Sequence, residues 1–246
     1  MCEMDGVPFI PVAQRPKLKR VMRSLKRIYR YKTNRKEPVT LEMLRKMKKV
    51  IDAMPDTLAT RTLWAQVLTA FYTFIRSANY TSSTKFSFDP ETDLTVGKLI
   101  KRKKRWALKL TKTKTVQFGE RDVIIWIPKI GGELCPTKAI DRMIDQRESW
   151  QPHEPLFADG DGIPVTKRKF NKDFKMLLSK ANLGGSDVSP HSLRRGGATY
   201  ALECNVPPVC IKMQGDWVSD AWMLYAIVTD KLKLKTVKAF EWFGRT

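Results

Sequence analysis

Ser189-Pro190-His191-Ser192-Leu193-Arg194-Arg195-Gly196-Gly197-Ala198-Thr199 is the stretch on which the reading of this chain turns. Its continuation is Gly215-Asp216-Trp217-Val218-Ser219-Asp220-Ala221-Trp222-Met223-Leu224-Tyr225. Ser189 suits an N-cap and Pro190 suits the first helical position, so a helix is expected to start here. His191 and Arg194 then share one face of that helix. A His and an Arg converging near a helix N-terminus make a site for a phosphate. Trp217 adds a donor, and Tyr225, eight residues further on, adds a hydroxyl. These are the parts with which a protein nucleophile attacks a phosphodiester.

Charge points the same way. The 246 residues carry a formal net charge of +21, and the 42% hydrophobic fraction is enough for a real core. The cations are clustered. Between Arg15 and Lys49 there are fifteen Lys or Arg, opposed only by Glu37 and Glu42. A second cluster holds Lys98, the run Lys101-Arg102-Lys103-Lys104-Arg105, and Lys109, Lys112 and Lys114. A solubilising surface would spread its charge; clusters favour a nucleic acid over an anionic membrane or an acidic protein. Cys2, Cys135, Cys204 and Cys210 include no C-x-x-C pair, and His153 and His191 are the only histidines. Zinc-site spacing is missing, and the scattered thiols suit a reducing, intracellular compartment. No apolar run of ~18 residues predicts a membrane span. No apolar N-terminal core predicts a secretory signal.

His-x-x-Arg, then Gly-x-Trp, then Tyr resembles the C-terminal half of the tyrosine recombinase catalytic box. The wording His191 to Thr199, with Gly215 to Ala221, is closest to the branch encoded by DIRS-type and related eukaryotic mobile elements. The resemblance implies an α+β fold, mainly helical with a small three-stranded antiparallel sheet. It also implies further catalytic residues upstream. Phe74-Ile75-Arg76-Ser77-Ala78-Asn79 resembles the family's Arg-x-Ser-Glu element, which assigns Arg76 as the first catalytic arginine. Asn79 stands where the family usually has an acid. The family's lysine lies in a β-hairpin; Thr113-Lys114-Thr115-Val116-Gln117-Phe118-Gly119 assigns Lys114, with Lys112 as the alternative.

The rest of the chain is read around this box. A basic arm or linker occupies residues 1–38, with Val21, Leu25 and Ile28 on one face of a short helix. In the resemblance it corresponds to the family's interdomain linker, with little or nothing in front of it. The catalytic domain is expected over 39–229 and an amphipathic tail over 230–246. Thr40 caps one helix; a second runs from about Asp56 or Thr57 to Ser77. Strands are expected at 94–99, at 106–110 and at 123–127, the last an apolar β-branched run. A helix from Pro136 to about Trp150 follows, then a turn at Asp159-Gly160-Asp161-Gly162 and a helix capped by Thr166.

The resemblance also assigns roles. Arg76 and Arg194 clamp the phosphate, since a guanidinium fork binds two oxygens. Trp217 donates its indole N–H or packs, His191 assists loss of the Tyr225 proton, and Lys114 protonates the departing 5′ oxygen. Neither a metal nor a nucleotide cofactor is implied. The partner is double-stranded DNA, contacted also by Lys101, Arg102, Lys103, Lys104, Arg105, Lys112 and Arg195. The apolar tail residues Leu234, Val237, Phe240, Trp242 and Phe243 imply docking on a neighbouring protomer or on their own domain. A eukaryotic member would be nuclear. The competing readings are a DNA-binding protein that keeps the fold without recombining, and a type IB topoisomerase-like relaxing enzyme.

Overall fold

The computed structural model describes residues 16–28, 36–102, 105–113, 116, 121–147, 150–224 and 234. The chain divides into two compact units, Met1–Arg35 and Lys36–Thr246. The first unit contains helix α1 (Pro16–Ile28), on which the expected spacing of Val21, Leu25 and Ile28 falls.

The second unit is built on α3 (Leu58–Thr73), whose residues are buried on nearly every side. A helix of Leu, Ala, Val, Trp, Phe and short threonines with few charges belongs in a core, and this one is covered by its neighbours. It packs against α4 (Pro136–Ile144), α5 (Lys167–Lys180), α6 (Pro190–Glu203) and strand β3 (Val123–Ile127). Helix α2 (Leu41–Ala53) buries Leu44, Met47 and Ile51 and contacts α3 and α5. Strands β1 (Leu99–Arg102) and β2 (Arg105–Leu110) complete an antiparallel sheet in the order β1-β2-β3. Its register pairs Leu108 with both Leu99 and Ile125. β3 alternates, with Val123, Ile125 and Ile127 inward and Ile124 and Trp126 outward. The fold is therefore the mainly helical α+β arrangement expected. No described helix is long and apolar enough to cross a membrane.

The N-caps follow local chemistry. Thr40, Thr57 and Thr166 each accept a backbone N–H from the first turn of α2, α3 and α5. At α6 the Ser192 hydroxyl reaches back to the Ser189 N–H at 3.1 Å. Asp159 accepts the N–H groups of Asp161 and Ile163, and Gly162 has φ +74°, so the Asp-Gly-Asp-Gly stretch is a turn.

Three boundaries differ from expectation, each because a group outside the element takes the backbone. Helix α3 stops at Thr73 instead of Ser77: Phe74 turns left-handed (φ +56°) and its carbonyl accepts from the Arg194 guanidinium. Residues 94–97 are not strand. Leu94, Val96 and Gly97 bond the backbone of Leu156, Glu154 and Pro152, and the sheet begins only at Leu99. Helix α4 ends at Ile144 instead of near Trp150, because the Trp150 indole donates to the Ile144 carbonyl at 2.9 Å. Arg147 lies over the Trp150 ring at 4.1 Å and pairs with Glu154.

Candidate DNA-cleavage site

The site begins with two glycines. A Cβ on Gly196 would lie 2.0 Å from the Val39 carbonyl oxygen, and one on Gly197 would lie 1.8 Å from that of Phe71. Only hydrogen fits, so α6 lies backbone against backbone on α3 at Gly197 and on the segment before α2 at Gly196. That approach sets Arg194, two residues before Gly196, beneath the end of α3. Arg194 is 2% exposed. It donates through Nη1 to the Phe74 carbonyl and through Nη2 to the Gly215 carbonyl at 3.0 Å. Its guanidinium stacks on the Trp217 indole at 3.7 Å. Trp217 itself belongs to a small buried cluster with Phe74, Ala198, Ala201, Ile211 and Trp222. The structure thus uses Trp217 as the platform under an arginine.

Arg76 follows the left-handed turn in extended backbone, so it does not cap α3. It is half-buried and lines a cleft of about 310 Å³ with Asn79, Asp93, Lys109, Lys112 and Thr113. Asn79 donates its side-chain amide to the Lys112 carbonyl at 3.2 Å. A carboxylate at this position could not make that bond, because it has no hydrogen to give. The departure at Asn79 is therefore coherent with the local geometry.

His191 stands at the start of α6 with one side exposed. Burial of its other side holds the imidazole below its ordinary value, helped by the positive charges of Arg194, Arg195 and Arg76. Arg76, His191 and Arg194 therefore act within one electrostatic field, although they come from two elements separated by more than a hundred residues.

Lys101, Arg102 and Arg105 are exposed around the β1–β2 connection. Arg102 and Arg105 face each other across the ladder, where like charges are destabilising. Lys103 and Lys104 between them lie outside the described residues. Other cations of this cluster serve the fold: Lys98 donates to the carbonyls of Pro90, Glu91 and Asp93, and Lys109 pairs with Asp122 at 2.9 Å. Lys112 is exposed at the cleft, whereas Arg195 is 7% exposed. Lys114 and Tyr225 lie outside the described residues. The last described turn before Tyr225 is a 3₁₀ helix, Asp220–Leu224. Among the described residues no cluster of His, Cys, Asp or Glu could hold a metal ion.

Sequence reading missed Asp216, which bonds Thr113 and Arg121 from the turn before Trp217. Its place inside Gly-Asp-Trp was the available signal, but spacing alone says nothing of its partners.

A helical domain with an inserted three-stranded sheet, and two arginines brought together from either side of it, is the architecture of a tyrosine recombinase catalytic domain. The chain belongs to the Phage integrase family, which it matches over residues 93–230. No curated protein sequence matches it. Among solved structures it resembles XerA recombinase, at 17% identity and a TM-score of 0.60, covering 85% of this chain and 66% of that one. It also resembles XerH site-specific recombinase in a post-cleavage complex with a palindromic difH substrate, at 14% identity and TM-score 0.58, covering 77% and 49%. A lambda integrase dimer bound to a COC′ core site gives 13% identity and TM-score 0.58, covering 80% and 49%. At such identities the likeness is one of fold. The chain spans about half to two thirds of the length of these proteins.

Proposed function

We propose that this chain is the catalytic domain of a site-specific DNA recombinase that breaks and rejoins strands through a 3′-phosphotyrosine. The observation that carries the reading is that Arg194 bonds the Phe74 carbonyl, two residues before Arg76, while Arg76 lines a cleft with Lys112. Tyr225 Oη attacks the scissile phosphorus and the P–O5′ bond breaks. The tyrosyl proton passes to His191, whose lowered pKa leaves it neutral near pH 7 and able to accept. The hairpin lysine, 114 or 112, gives its proton to the departing 5′ oxygen. Arg76 binds the nonbridging oxygens from the cleft. Arg194 supplies charge from beneath, and a bound phosphate would take over one donor now given to a backbone carbonyl. The phosphodiester energy is kept in the tyrosyl ester, and reversal rejoins the strand.

The duplex would run over the exposed Lys101, Arg102 and Arg105, with Lys103 and Lys104 between them. XerH and lambda integrase are bound to DNA in their structures, and lambda integrase is a dimer there. By the same logic this chain binds a duplex as an oligomer, its residues 230–246 supplying an apolar docking segment. The arm would end near residue 38 and the catalytic domain near 229. The wording of the His191 and Trp217 stretches supports a DIRS-like retrotransposon or related eukaryotic mobile element as its source, and so a nuclear site of action.

The test is capture on a nicked duplex that loses its 5′ fragment on cleavage. The expected result is a protein–DNA adduct that survives denaturation, carries a label placed on the 3′-phosphate side and disappears with protease. A duplex that is bound but never captured would leave only a DNA-binding protein.

A further inference from the structure

Asp216 is a buried carboxylate that the proposed chemistry does not use. It sits between helix α7 (Pro208–Gln214) and Trp217, 7% exposed, with φ +49°. Left-handed backbone costs an L-residue energy that glycine avoids, and Gly215 stands immediately before it. An Asp held there, and buried, has to be compensated by what its side chain binds. Its two oxygens go to two different places. Oδ2 accepts from the Thr113 hydroxyl at 2.8 Å, and Oδ1 accepts from Arg121 Nη2 at 3.1 Å. Thr113 lies just beyond the end of β2 and Arg121 just before β3, so one carboxylate ties both legs of the hairpin.

We infer that Asp216 is a positioning residue: it clasps the β2–β3 hairpin to the Trp217 turn and so fixes the hairpin lysine against the scissile phosphate. The inference rests on the cleavage reading above. Thr113 is 6% exposed and is the fixed point of the hairpin. Its hydroxyl donates to Asp216 and accepts the Val116 N–H at 3.1 Å, while its own N–H donates to the Val116 carbonyl at 2.9 Å. One residue earlier, the Lys112 carbonyl is held by Asn79, three residues from Arg76. On the Asp216 side the clasp leads to Trp217 and, by stacking, to Arg194. The hairpin is thus pinned between the segment that carries Arg76 and the turn whose Trp217 stacks on Arg194. Both candidate lysines, 112 and 114, are chain neighbours of Thr113. A lysine that must place a proton on one oxygen needs its backbone held to a fraction of an ångström. The simpler role, neutralising Arg121, would leave Thr113 without a part, yet Thr113 is buried and bonded both to Asp216 and to the hairpin backbone.

The test uses the full chain and two nicked duplexes that differ in one atom. One has the ordinary 5′ bridging oxygen at the scissile phosphate; the other has sulfur. A departing thiolate needs no proton, so loss of a positioned acid harms the oxygen duplex alone. Asp216→Ala is expected to slow capture of the oxygen duplex by about 100-fold, the lower end for general acid catalysis. The sulfur duplex should be captured at close to the normal rate, with duplex affinity unchanged. Thr113→Val should behave like Asp216→Ala, and Thr113→Ser should restore the oxygen duplex. Equal slowing of both duplexes would make Asp216 structural and overturn the inference; so would slowing of neither. Should Asp216→Ala fail to fold, Thr113→Val decides between the same outcomes. If the unsubstituted chain captures neither duplex, the cleavage reading itself falls and takes the clasp with it. That failure is visible without any variant.

Discussion

Arg194 and Arg76 carry the same charge and are held in opposite ways. Arg194 is enclosed by two backbone carbonyls and an indole face, so removing it leaves those carbonyls buried without their donors. Arg194→Ala should therefore cost about 3 kcal/mol and lower the melting temperature by roughly 10 °C. Arg76, half-buried at the cleft, should leave the melting temperature within about 2 °C when changed to Ala, yet abolish capture. Thermal unfolding of both variants beside a capture assay separates these outcomes, and Arg76→Ala is the cleaner probe of the phosphate clamp. His191 gives a pH signature. Its folded pKa lies below the ordinary ~6.5, so just under that value the unfolded chain binds more protons. The stability contribution of this residue is therefore complete above pH ~6.5 and is lost as the pH falls through the lowered value. Denaturant melts across that window should be flatter for His191→Gln. A phosphate nearby favours the imidazolium, so duplex affinity should rise as the pH falls through the same window, and less so in the variant.

Helix α6 shows what a sequence can and cannot disclose about an element. Its start was legible, because Ser189, Pro190 and Ser192 act on their own neighbours. Thr40 and Thr166 were legible for the same reason, as was β3 from its β-branched run, while the start of α3 was legible only to within Asp56 or Thr57. The ends of α3 and α4 were not. They are set by Arg194 reaching Phe74 across 120 positions and by the Trp150 indole turning back on Ile144. The start of β1 was hidden likewise, since residues 94–97 spend their backbone on the 152–156 loop. At the site, order along the chain was enough to single out Arg76, His191, Arg194 and Trp217 as candidates, whereas Asp216 escaped it, because its partners Thr113 and Arg121 lie about a hundred residues away. The Gly196-Gly197 pair could be quoted but not explained until Val39 and the end of α3 were seen beneath it. Gly197→Ala should cost about 3 kcal/mol, because the clash is with the Phe71 carbonyl and not with a mobile side chain. Chemical denaturation checks this. An unchanged midpoint would mean that α3 and α6 do not approach as closely as described.

At the scale of the molecule the governing quantity is charge, with a formal net of +21. Such a surface should release many counterions on meeting a duplex, so log affinity is expected to fall with log salt at a slope steeper than about −4. Replacing Lys101, Arg102 and Arg105 with Gln should reduce that slope by about 2 to 3, and the self-repulsion of Arg102 and Arg105 across the ladder should be relieved with it. A flat response to salt would assign the cations to something other than phosphates. Affinity alone, however, does not distinguish an enzyme from a protein that only holds DNA. The proposed function requires the hydroxyl of Tyr225 to become joined to the DNA beside Arg76, His191 and Arg194. Capture of a nicked duplex by the unsubstituted chain and by Tyr225→Phe, read side by side on a denaturing gel, tests it most directly. An adduct is expected for the first and none for the second, at nearly equal duplex affinity, since one hydroxyl adds little to a charge-driven interface. An adduct that persists in Tyr225→Phe, or none with either chain, would contradict it.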